Sequence, residues 1–139
     1  MSTSPAASPS VRPRRVVTDR RGGRSRSPYD SFNLGDHVGD DAADVAANRA
    51  RVAHELVVPE ERLVWMSQVH GTGVTVVDGP QDGPVPETDA LVTAVPGLVL
   101  CVLVADCVPV LLADPVAGRR PLSSEDFEEE LDIPEFLKG

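Results

Sequence analysis

The chain has 139 residues, of which 41% are hydrophobic, 25% charged and 4% aromatic, and its formal net charge is −9. That length suits one modest domain, and that composition suits a globular fold with a core of Val, Leu and Ala. No apolar run reaches the ~18 residues that cross a bilayer, and the N-terminus lacks an apolar leader core, so a cytoplasmic protein without a membrane partner is expected.

The average charge hides three regions. Residues 1–28 hold seven Arg and one Asp, residues 29–120 five Arg and fourteen acids, and residues 121–139 one Lys and seven acids. A basic arm raises the question of nucleic acid. This one is rich in Ser, Pro and Gly with no interleaved aromatics, so residues 1–14 read as a solvated, disordered arm with no nucleic-acid partner.

In chain order, Arg14–Thr18 reads as a short strand and Arg20–Tyr29 as a loop in which Gly22 and Gly23 are free to take positive φ. Ser31–Asp41 carries turn residues throughout, among them Asn33, Gly35, Asp36 and Gly39. A helix follows over Ala42–Leu56, with Asp40 or Asp41 as N-cap, a partial apolar face of Val45, Val52 and Leu56, and Pro59 beyond its end. Strands are then expected at Arg62–Val69, Gly73–Asp78, Asp89–Thr93, Leu98–Val104 and Val108–Asp114, with a loop over 79–88. The last two strands are apolar on both faces, the mark of strands covered on both sides. This order predicts an α+β domain with a mixed sheet and flanking helices. One helix is too few to cover such strands, so the sheet reads as incomplete toward the C-terminus, needing a partner or further chain.

Few residues stand out for chemistry. His70 in "QVHG" and Cys107 in "ADCVP" both lie at expected strand ends, where polar side chains emerge from a rigid sheet. Thiolate and imidazole suit zinc, yet a catalytic zinc takes three protein ligands. The pair equally suits a nucleophile and its base, and equally a structural thiol and a turn histidine. Asp106 reads as a proton-handling neighbour or a turn acid. Cys101, inside an apolar run, reads as a core residue, and His54 as a helix C-terminal charge. His37, between Asp36 and Asp40, is either a site or a loop residue. Asn48 and Arg49 read as a solvated helix face.

Taken together and in order, "RRGG…S…PYDSFNLGDHVGDD" from Arg20, "NR" at Asn48–Arg49, "QVHG" at Gln68–Gly71, "TDALVT" at Thr88–Thr93 and "ADCVPVLLADP" from Ala105 resemble the YfiH-like family, also called the laccase-domain or polyphenol oxidase family. The resemblance covers about residues 15–118. It implies an α/β sandwich and a purine nucleoside activity: phosphorolysis of adenosine, inosine and methylthioadenosine, with adenosine deamination. The older family name implies copper-dependent phenol oxidation, for which one Cys and one His are too few ligands.

The resemblance also implies zinc held by His70, Cys107 and a later His in an "AHAGWRG"-type motif. This chain has no His after position 70 and no such motif. The matched motifs make Asp106, Cys107 and His70 the catalytic candidates, and Asn33, His37 and Arg49 candidates for binding the nucleoside or phosphate. The chain is therefore expected to be the N-terminal half of such an enzyme, weakly active alone.

The acidic residues 119–139 depart from the family pattern. "EEELDIPEFLKG" from Glu128 is similar to the C-terminal docking peptide of the bacterial tubulin-like cell-division protein. It implies a protein partner met through Ile133, Phe136 and Leu137, with Phe127 nearby, or a junction between neighbouring genes. Two further readings stay open: a partner-binding module using this tail, and a hydrolase using Cys107 and His70.

Overall fold

The computed structural model describes residues 13–114. Residues 1–12 and the tail of 115–139, with the partner anchors Phe127, Ile133, Phe136 and Leu137, lie outside the described residues.

Helix α1 spans Ala42–Leu56, as its Ala-rich sequence predicts. Asp41 is the N-cap, and its carboxylate accepts from the N–H groups of Ala43 at 2.8 Å and Asp44 at 3.3 Å. That satisfies two of the donors a helix start leaves unpaired. At the far end Val57 takes the left-handed conformation, φ 59° and ψ 48°. Val57 N–H then donates to His54 O and Val58 N–H to Ala53 O, closing the helix with a Schellman-type cap. Glycine is the usual residue in such a cap. A β-branched side chain there is strained, and Val57 is exposed, with no packing to offset the cost.

The helix buries Val45, Asn48 and Ala53. Asn48 is 1% exposed and its carboxamide is fully used. Nδ2 donates to Ser25 Oγ (3.0 Å), Asn33 O (2.9 Å) and Ser31 O (3.2 Å), and Oδ1 accepts from Arg24 N–H (2.8 Å). The expectation of a solvated face at Asn48 is thus reversed. A polar residue on a helix can be buried when a loop brings it complementary backbone groups.

After a 3-10 turn at Glu60–Arg62, four short strands form two parallel pairs. Strand β1 (Leu63–Val64) pairs with β4 (Val99–Leu100), Leu63 opposite Val99. Strand β2 (Val74–Val76) pairs with β3 (Ala90–Val92), Val74 opposite Ala90. The β2–β3 connection runs past the end of β1, where Met66 bridges Val85, and this stitches the two pairs together. Val64, Val77 and Val85 form the core, with Leu91, Leu98 and Leu100 packed on it.

The strands are shorter than the sequence suggests. Arg62–Val69 narrows to β1 and the Met66 bridge, and Leu98–Val104 to β4. Arg14–Thr18 and Val108–Asp114 are not strands. A strand exists only when a neighbour completes its ladder, and among the described residues no backbone ladder forms along these segments. Val108, Val110 and Leu112 accordingly stand 84%, 72% and 83% exposed rather than covered. No helix among the described residues is long and apolar enough to cross a membrane.

Cys101 follows β4, its N–H bonded to Val64 O. Burial pushes its thiol up to about 12, while the nearby Arg49 charge pulls the other way. It is a neutral, half-buried thiol at the margin of the core rather than the core residue the sequence suggests.

Three stability outcomes follow. Asn48→Ala strands four polar groups and is expected to cost about 3 kcal/mol in urea unfolding. Val57→Gly relieves the cap and is expected to stabilise the chain by about 1 kcal/mol in the same assay. An unfolded cysteine ionises near ~8.5, below the folded value of about 12 for Cys101. Its contribution is therefore full below the unfolded value and is lost as pH rises toward the folded one. Denaturant midpoints measured across that window should fall with pH in the wild type and fall less in Cys101→Ala.

Candidate functional site

The structure sets Asn33 and Arg49 along one loop beside α1, with His37 on that loop's exposed side. Asn33 Oδ1 accepts from Gly35 N–H, while its Nδ2 donates to Gly35 O and to Asp40 Oδ2, each at 3.0 Å. Arg49 Nε donates to Leu34 O at 2.8 Å, and its Nη1 lies 3.4 Å from Asp36 Oδ2. The guanidinium is stacked 4.1 Å from the Trp65 ring centroid. The Arg49 side chain is only 17% exposed, so it too is not a solvated face residue. The planar guanidinium covers the aromatic ring and still donates sideways to the loop. His37 lies outside, exposed, its Nδ1 3.8 Å from Asp36 Oδ1. Side-chain hydrogen bonds from Ser25 and Asn33, together with the Asp41 N–H, hold the Asp40 carboxyl below the ordinary carboxylate range against a smaller opposing effect of burial.

His70 belongs to a second cluster. It is exposed at the apex of a turn after β1, with φ 57°. Three successive N–H groups around it converge on one carboxylate. Val69 N (3.1 Å) and His70 N (2.8 Å) donate to Asp89 Oδ1, and Gly71 N (2.8 Å) donates to Asp89 Oδ2. Asp89 sits immediately before β3.

The neighbouring Gln68 reaches in the other direction. Its Nε2 donates to Leu103 O at 3.0 Å, and its Oε1 accepts from Leu103 N–H at 2.9 Å. This two-point clamp continues the β1–β4 pairing by a side chain where the ladder has ended. It ties the segment that carries His70 to the segment that carries Asp106 and Cys107. Asp106 and Cys107 are both exposed. Because β1 and β4 are parallel, both segments leave the same, C-terminal edge of the pair. In parallel sheets that edge is the usual place for a ligand site.

The donor types of His70 and Cys107 suit zinc, and both side chains are accessible. The donor count does not close: among the described residues no group of three His, Cys, Asp or Glu could hold a metal ion. Sequence reasoning assigned no role to Asp89, Gln68 or Trp65. The first two lie inside motifs already singled out, and an acid just before a strand was the only signal of Asp89. Its partners are main-chain groups of another segment, which no side-chain pattern announces.

Comparison with known proteins bears on the family and the fold. The model of the family described as multi-copper polyphenol oxidoreductase laccase matches residues 14–120. A purine nucleoside phosphorylase of Mycobacterium tuberculosis is 61% identical over 109 residues, covering 78% of this chain and 44% of that protein. One of Streptomyces coelicolor is 61% identical over 102 residues, covering 73% and 42% respectively. The chain thus spans less than half the length of the curated relatives it matches. The crystal structure of YlmD from Geobacillus stearothermophilus superimposes with a TM-score of 0.56 at 40% identity, over 58% of this chain and 33% of that one. The Bacillus licheniformis YfiH structure gives 0.55 at 31% identity, over 58% and 33%. With a family match across most of its length and the same fold in solved relatives, the chain belongs to the YfiH-like, laccase-domain family.

Proposed function

We propose that residues 15–118 form the first part of a purine nucleoside phosphorylase in which His70 and Cys107 are zinc ligands. The observation that carries this reading is the 61% identity to phosphorylases of that name. The geometry supports it. The register pairs Leu63 with Val99 and Val64 with Leu100, and beyond its end the Gln68 side chain holds Leu103. Because the β1–β4 pair is parallel, the segments carrying His70 and Cys107 both leave its C-terminal edge. The third donor that the resemblance implies is a later His, and this chain has no His after position 70.

Zinc, when bound, supplies a Lewis acid that polarises the substrate or acidifies water. The chain's own residues do the rest. In phosphorolysis, phosphate attacks ribose C1′ while the bond from C1′ to the purine nitrogen breaks and the base leaves. Asp106 is the proposed donor of the proton that the departing base needs. In adenosine deamination, water replaces the amino group at purine C6 and ammonia leaves, again with Asp106 moving protons. Arg49 and Asn33 hold the loop that carries His37, and this loop is the proposed nucleoside- or phosphate-binding wall. Substrates are adenosine, inosine or methylthioadenosine with phosphate.

The description of the family favours a second reading, copper-dependent phenol oxidation. It needs several His-rich centres, and this chain has three His in all. A hydrolase with Cys107 as nucleophile and His70 as base is the third.

The chain by itself is expected to bind zinc weakly and to turn over little nucleoside, since two of three donors are present. Stoichiometric, tight zinc in equilibrium dialysis, abolished by His70→Ala, would overturn that expectation. A chimera joining residues 15–114 to the remainder of the Mycobacterium tuberculosis relative should release base from inosine only when phosphate is supplied. His70→Ala and Cys107→Ala should each bring release to background. Release that needs no phosphate, or phenol oxidation with copper, would refute the phosphorylase reading.

A further inference from the structure

We infer that Asp89 is the positioning residue of this centre: its carboxylate sets the backbone of the His70 turn and thereby aims the imidazole. The inference rests on the reading of His70 as a zinc ligand.

The turn around His70 is not one the chain adopts cheaply. A non-glycine residue at φ 57° is strained, and such outliers persist only when their surroundings over-determine them. Here the over-determination is visible. The N–H groups of Val69, His70 and Gly71 form a concave anion-binding arc, and the Asp89 carboxylate fills it with three charge-assisted hydrogen bonds. Remove the charge and nothing else in these contacts holds the three amides convergent.

Asp89 can impose this geometry because it is itself fixed. Its N–H, and that of Ala90, donate to Gly73 O. The preceding Thr88 is 2% exposed, with its N–H on Ser67 O and its Oγ1 bonded to Pro86 O and Thr75 Oγ1. The two chains run so close that a Cβ on Gly73 would meet Glu87 O at 2.8 Å, so only glycine fits there. The carboxylate thus stands on the start of β3 and holds a turn that lies between β1 and β2. Asp89 touches no reacting atom. It acts through His70 by the main chain, where outer partners of metal-bound histidines more commonly act on the ring itself.

The test is an NMR titration of the full chain with zinc, for wild type, Asp89→Asn, Asp89→Glu and His70→Ala. In Asp89→Asn an amide nitrogen faces the Gly71 N–H in place of an acceptor. The Val69, His70 and Gly71 amides should shift and lose exchange protection, and the His70 ring should respond to zinc at a 10- to 100-fold higher concentration, on the order expected for removing an outer partner. Helix α1 amides should keep their protection. Asp89→Glu, which keeps the charge and adds one methylene, should fall between the two and serves as the readout if Asp89→Asn does not fold. A zinc response that depends on His70 but is equal in wild type and both Asp89 variants overturns the positioning role alone. A response that is indifferent to His70→Ala overturns the ligand reading and this inference with it.

Discussion

A single buried carboxamide, that of Asn48, does most to join the N-terminal segment to the rest of the molecule. An amide in the interior costs free energy unless its donors and acceptor are met. Asn48 meets them only if Arg24, Ser25, Ser31 and Asn33 wrap against the helix in one particular path. With the loop so held, the next residue, Arg49, finds Leu34 O and Asp36 on one side and the Trp65 ring on the other. Loop, helix and the end of β1 are thereby locked in sequence. The side chains of the first candidate cluster hang from this arrangement.

The second cluster depends on parallel pairing and on two side chains that take over where pairing stops. Strands of two or three residues make few ladder bonds. The chain compensates with side-chain-to-backbone bonds of long sequence range: Gln68 to Leu103, and Asp89 to the His70 turn. Such bonds have the same geometric demands as a ladder but do not require extended backbone at both partners. That is how His70, Asp106 and Cys107 come to leave one edge of the β1–β4 pair although no long strand carries any of them.

The legible part of the sequence was the local part. The helix bounds, its N-cap, the loop over 79–88 and the approximate places of four strands follow from composition and from turn and cap chemistry, which act over a few residues. The ordered motifs also pointed to the family. What failed was extent. Val108–Asp114 has a strand-like apolar pattern, yet Val108, Val110 and Leu112 face solvent because a strand is a relation between two segments and no described segment answers this one. Asn48 failed for the converse reason: a polar residue on a helix looks solvated until a loop covers it.

The amino-acid sequence by itself determined the helix, the turns, the family and the identity of the candidate donors, because these rest on residue type and short spacing. Only the tertiary structure decided that Asn48 and Arg49 are structural anchors and that Asp89 lies under the His70 turn. It also decided that the His70 and Cys107 segments share an edge. Each of these is a contact across many residues, made through backbone groups that every residue carries alike, and such contacts are not written in side-chain identity.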